Sequence, residues 1–113
     1  AYALDSEEKV ACMISFGYPD DAGRKHKCKS VEDVSNASVS TPEWFEKGVR
    51  AALKAPTAVN QQKFYIEYAG VKDGRHCVCA RRLFSVVGYT SMDLGIVKLH
   101  FEIGAGKDNF EWV

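Results

Sequence analysis

The chain has 113 residues, which fits a single domain. Hydrophobic residues make up 46%, so the composition is that of a globular protein and not of a disordered one. Lys plus Arg number 15 and Asp plus Glu number 15, a balance that argues against broad nucleic-acid binding, which needs surplus positive charge.

No apolar run approaches the roughly 20 residues of a membrane span, and no signal-peptide pattern is present. A cytoplasmic protein without membrane association is therefore expected, with Cys12, Cys28, Cys77 and Cys79 reduced. The first residue is Ala, so processing or a longer parent chain is also expected.

In chain order, Ser6-Glu7-Glu8 is a polar lead-in to Lys9–Phe16, KVACMISF, which is apolar, short and rich in Val, Ile and Phe. That pattern predicts a strand buried on both faces, with Cys12 as a small core residue. Gly17-Tyr18-Pro19-Asp20-Asp21-Ala22-Gly23 stops it with an exposed turn. Arg24–Lys29, RKHKCK, is a basic run. Its ordinary reading is a solvated face, and its sharper reading is a phosphate partner, because convergent cations suit a dianion. Val31–Val34 reads as one helical turn and Asn36–Ser40 as a connector.

The first long helix is expected over Pro42–Lys54, with Thr41 as N-cap and Pro42 at the first helical position. Phe45, Val49, Ala52 and Leu53 supply its core stripe. Trp44, Gly48 and Ala51 supply a second stripe whose small residues admit a close neighbour. Pro56 ends the helix, because the residue before a proline avoids helical angles.

Between this helix and the next strand lies Ala55-Pro56-Thr57-Ala58-Val59-Asn60-Gln61-Gln62. Such a turn presents amide and hydroxyl side chains and free backbone N–H groups, which suit a polar, planar ligand. It can equally be an ordinary polar connection. Lys63–Ala69 alternates as a strand. Asp73-Gly74 signals a hairpin, and Arg75–Ala80 is its return strand. Cys77 and Cys79 then share a face, but a CxC pair alone makes no zinc site. Arg81–Tyr89 reads as a loop.

A second long helix is expected over Ser91–Ala105. Met92, Ile96, Leu99 and Ile103 line one face and Leu94, Val97 and Phe101 another, so most of it should be buried. His100 on it reads as a hydrogen-bonded core histidine. Phe110–Val113 is a last strand. The elements together predict an α+β fold, a mostly antiparallel sheet packed with two long helices. No Ser-His-Asp or Cys-His spacing supports a catalytic assignment, and His26, His76 and His100 fall in separate elements.

Several stretches together resemble one family. APTAVNQQKFY is similar to the A-P-S-A-x-N-x-Q-P-W stretch of FMN-dependent nitroreductases. VACMISFGYPDD and KCKSVEDV resemble that family's late strand, G-Y-P-x-E turn and basic K-x-[KR]-P-L-E-E segment. DLGIVKLHFEIGA and the final FEWV resemble the second half of its duplicated, single-chain branch. The resemblance implies the C-terminal part of a protein about twice as long. Residues 1–30 would then belong to, or be exchanged with, the first half, and residues 31–113 would form the second.

The resemblance further implies an oxidoreductase that uses FMN, takes electrons from NAD(P)H and passes them to a small-molecule acceptor. Pro56, Thr57, Ala58 and Asn60 would face the flavin, and Lys27 and Lys29 would reach its phosphate. The flavin performs the redox step in such proteins, so no side chain is assigned as catalytic. The chain departs from the family pattern at Ser30 and Lys63, which replace prolines, and at Phe64, which replaces Trp. The family's Arg-Ser-x-Arg has no counterpart here. These departures support the alternative of a flavin-free binding or scaffold domain. An isolated half would expose apolar surface, so association with the missing half or with a second copy is expected, through strand exchange at Lys9–Phe16.

Overall fold

A computed structural model describes residues 3–113 of the chain. The element order is α1 (Val31–Val34), α2 (Glu43–Ala52), a 3-10 turn (Ala58–Asn60), β1 (Phe64–Lys72), β2 (Arg75–Arg82), α3 (Thr90–Ala105), a second 3-10 turn (Lys107–Asn109) and β3 (Glu111–Trp112). The architecture is a small α+β fold with a three-stranded sheet in the order β1-β2-β3. β1 and β2 form an antiparallel hairpin, whereas β3 runs parallel to β2. The sheet is therefore mixed, and only its long ladder meets the antiparallel expectation. Of the two helices expected to be long, α3 has 16 residues and α2 only 10.

α2 begins one residue later than its sequence suggests, with Pro42 rather than Thr41 as the N-cap. Thr41 is engaged in a turn of its own. Its hydroxyl donates to the Ser38 carbonyl (2.8 Å) and accepts from the Ser38 N–H (3.1 Å). Ser and Thr side chains compete with helix starts in this way. At the other end, the Leu53, Lys54 and Ala55 N–H groups bond back to Val49, Ala51 and Ala52, and Pro56 then halts the helix.

The expected stripe of Phe45, Val49, Ala52 and Leu53 is buried, and it meets Phe64, Ile66 and Val78 of the sheet and Val97, Phe101 and Ala105 of α3 in one core. Burying each of the larger side chains contributes about 1.5–3 kcal/mol. α2 and α3 touch backbone to side chain. A Cβ at Gly48 would lie 2.6 Å from Phe101 Cε2, and one at Gly104 would meet the Ala51 side chain and lie 2.8 Å from the Lys47 carbonyl. The small-residue stripe thus brings the two helices close together.

Three expectations fail. The Lys9–Phe16 stretch forms neither strand nor helix, and residues 3–30 are exposed, Cys12 included. An apolar run becomes a strand only where a ladder partner and a core are available, and this arm meets neither. α3 is covered on one face only: Val97, Phe101 and Ala105 are buried, whereas Met92, Leu99 and Ile103 are exposed. His100 is half-buried rather than in the core. No helix among the described residues is long and apolar enough to cross a membrane.

Candidate functional site

The turn after α2 is built from backbone angles that side chains rarely adopt. Val59 (φ 45°), Asn60 (φ 54°) and Gln62 (φ 47°) all lie in the left-handed region. For a β-branched residue such as Val59 this costs on the order of 1–2 kcal/mol. A turn strained in this manner persists only where its surroundings over-determine it, and such turns cluster at functional sites.

Two sets of long-range bonds supply that constraint. The first runs to the basic segment. The Gln62 side chain, 4% exposed, accepts from the Lys29 N–H (2.9 Å) and donates to the Lys27 carbonyl (2.9 Å) and to Asn60 Oδ1 (2.9 Å). Asn60 Nδ2 donates to the same Lys27 carbonyl (2.9 Å), and Lys29 Nζ donates to the Gln62 carbonyl (3.0 Å). Just upstream, His26 Nε2 lies 3.2 Å from the Leu53 carbonyl, to which the Cys28 thiol also donates at 3.2 Å. Segment 26–29 is thereby laced to the end of α2 and to the turn.

The second set runs to the start of α3. Asp93 is 7% exposed, accepts from the Ala58 N–H (3.0 Å) through Oδ1 and from Gln61 Nε2 (2.7 Å) through Oδ2. Its place in the first turn of α3 suits a carboxylate, because the helix dipole is positive there. Gln61 Nε2 also donates to the Gly88 carbonyl (2.9 Å), and Ser85 Oγ donates to Gln61 Oε1.

Within the turn, the Asn60 and Gln61 N–H groups bond to Thr57 and Ala58, and the Gln62 N–H bonds to Thr57 Oγ1 (3.1 Å). With Ala58 held by Asp93, four of the backbone donors expected to be free are in use. Among the described residues, the Thr57 and Val59 N–H groups have no partner. The Thr57 hydroxyl accepts one bond and keeps its proton to donate.

Exposure follows a usable order. Pro56, Val59 and Asn60 are exposed, and Thr57 and Ala58 are half-buried. The Lys27 side chain is also exposed. The six residues singled out from sequence thus form one neighbourhood in two parts: Lys27 and Lys29 on the tether, and Pro56, Thr57, Ala58 and Asn60 on the turn. Lys29 alone of the six also lines a groove of about 450 Å³ with Cys28, Glu32, Arg50, Leu53 and Lys54.

Directly after the tether, Ser30 and Asp33 form a capping box over α1, with the Asp33 N–H donating to Ser30 Oγ (3.2 Å) and the Ser30 N–H donating to Asp33 Oδ2 (3.1 Å). The Ser30 backbone N–H foremost, and then the Ser30 side chain, hold the Asp33 carboxyl below its ordinary value.

Sequence reasoning missed the residues that hold the site. Gln61 and Gln62 lie inside the stretch it marked, and Asp93 opens a quoted motif, yet none was given a role. The available signal was an acid in the first turn of a helix that follows a loop of unassigned function.

A match to a known family covers residues 1–105, and its description is "Putative TM nitroreductase". The match spans most of the chain, which therefore belongs to this nitroreductase family. No curated protein and no solved structure matches the chain.

Proposed function

We propose that the turn at Pro56–Asn60 and the tether at Lys27–Lys29 form one wall of an FMN site in an oxidoreductase of nitroreductase type, with NAD(P)H as electron donor and a small molecule as acceptor. Nitroreductases generally use a flavin, and the donor set left over on this turn suits one. The Thr57 and Val59 N–H groups and the Thr57 hydroxyl can donate to the carbonyl-rich edge of a flavin ring. Lys27 offers a free ammonium to a phosphate, and Lys29 has protons beyond the one it gives to Gln62. Pro56 and Val59 add exposed apolar surface for a planar ring. When bound, FMN would supply the hydride-transfer chemistry. The chain's own part would be to orient the ring and neutralise its phosphate. A cytoplasmic location with reduced thiols accords with this reading.

The observation that carries the proposal is the Gln62 lacing, which brings the basic segment and the polar turn together although they are 33 residues apart in sequence. The test is titration of FMN into the chain, read by quenching of flavin fluorescence and by absorbance at roughly 450 nm. Saturable binding, weakened by Lys27→Ala with Lys29→Ala, is expected.

A second reading, a flavin-free binding or scaffold domain, is favoured by one specific fact. The Asn60 side-chain amide gives one N–H to the Lys27 carbonyl and takes one bond from the Gln62 side chain, which leaves only one N–H and one lone pair for a ring. Under that reading FMN does not bind, and the double lysine variant changes nothing related to flavin.

A further inference from the structure

We propose that the groove between the tether and the end of α2 takes the 2′-phosphate of the nicotinamide donor, so that the chain uses NADPH in preference to NADH. The groove has a volume of about 450 Å³, within the range of small-molecule sites. The choice of donor rests on the flavin reading, whereas the anion groove itself does not.

Cations reach the groove from two walls. Lys29 stands on the tether, and Arg50 and Lys54 stand at the end of α2, while Glu32 of α1 is the one carboxylate in the lining. The lining thus carries surplus positive charge in a chain whose formal net charge is zero. Among the described residues, Lys29 and Lys54 form no ion pair. Arg50 is bonded to Glu46 through Nε and Nη2, a weak exposed pair that leaves both Nη1 protons free. Lys29 Nζ gives one proton to the Gln62 carbonyl and keeps two. Ser30 Oγ accepts from the Asp33 N–H and keeps its own proton to donate.

A phosphomonoester suits this donor set better than a lone carboxylate. Its charge is close to two at neutral pH, its three terminal oxygens accept from both walls at once, and the guanidinium fork matches two of them. The floor is apolar, with Val31 and Leu53 only 7% and 5% exposed. A bare inorganic ion would leave most of such a groove empty, and a phosphorylated nucleoside fills more of it. The walls are fixed to each other, because the Leu53 carbonyl accepts from the Cys28 thiol and lies 3.2 Å from His26 Nε2. The groove also adjoins the flavin wall, since Lys29 is bonded to Gln62 of the turn. Of the cofactors in the proposed reaction, FMN has its own phosphate, which Lys27 meets. The remaining phosphomonoester is the one that distinguishes NADPH from NADH.

NMR titration of the whole chain with NADP⁺ and with NAD⁺, which differ by that phosphate alone, tests it. NADP⁺ should shift the amides of Ser30, Glu32, Arg50 and Lys54 in a saturable manner and bind about 10-fold or more tightly than NAD⁺. Arg50→Ala with Lys54→Ala should remove that difference and leave NAD⁺ binding as it is. Both side chains are exposed, so the variant keeps its core. Equal affinity for the two dinucleotides, shifts that bypass the groove, or a variant that still prefers NADP⁺ overturns the proposal. So does FMN if it shifts the groove amides at lower concentration than NADP⁺, which would make the groove the flavin's own phosphate subsite. A chain that prefers NADP⁺ at the groove and never takes FMN would support the anion groove and overturn the flavin reading alone.

Discussion

Two of the turns made with positive φ are held in opposite ways. At the hairpin between β1 and β2, Asp73 (φ 50°) and Gly74 (φ 77°) connect strands whose last pair is Lys72 with Arg75. This two-residue loop suits its residues, and the flanking ladder is all it needs. At the other turn Val59, Asn60 and Gln62 take the same region without a glycine, and the bonds that enforce it come from residues 27, 29 and 93. One turn is stable by local chemistry. The other is stable because the fold is complete around it. The second kind is suited to a site, since its geometry is set in advance of any ligand.

Breaking the enforced turn should have the largest effect. Asp93→Ala removes a nearly buried carboxylate that accepts from the Ala58 N–H and Gln61 Nε2, and should cost about 3 kcal/mol. In thermal unfolding that is a fall in Tm on the order of 10 °C or more. Asp93→Asn should recover little, because one side of the new amide would turn a donor toward the Gln61 amide. Gln62→Ala comes next, at about 1–3 kcal/mol, because it strands the Lys29 N–H and removes a donor from the Lys27 carbonyl. Its signature in hydrogen exchange is faster exchange at residues 27–29, with the 73–74 hairpin unchanged.

Smaller changes sharpen the contrast. Gly74→Ala should destabilise by about 1 kcal/mol, because alanine at φ 77° is strained. Val59→Asn should have the opposite sign. Val59 is 80% exposed, so little packing is lost, and asparagine tolerates the left-handed region better, for a gain of about 0.5–1 kcal/mol in chemical denaturation. A Val59→Asn variant less stable than wild type would mean that the turn is not strained as described.

The smallest effect is in acid. The folded Asp33 carboxyl titrates below its unfolded value, so its contribution is fully present above that value, near 4, and is lost as pH falls through the folded one. Amide exchange at Val31–Ser35, directly beside the tether, should rise over that window in the wild type. Asp33→Asn should flatten the pH dependence.

The same contrast explains what could be read from the sequence. The hairpin, α1, the stripe Phe45, Val49, Ala52 and Leu53, and the stop at Pro56 were legible because each follows from residues within a few positions of itself. The location of the polar turn was legible too. The turn's support was not. Nothing local to Gln62 says that it will reach 33 residues back to Lys29, and nothing local to Asp93 says that it will hold Ala58. The arm fails for a related reason: KVACMISF has the composition of a buried strand, but burial is a property of neighbours, and this chain places none beside it. The parallel β3 likewise depends on where α3 delivers the chain, which periodicity does not encode.

The most direct test follows the backbone amides of the chain by NMR during addition of FMN. If the enforced turn is a ligand site, the Thr57 and Val59 amides should shift most, accompanied by residues 27–29, in a saturable manner, while Asp73 and Gly74 stay still. Equal small shifts at both turns, or none at Thr57 and Val59 in a chain whose Gln62 and Asp93 bonds are intact, would contradict the account.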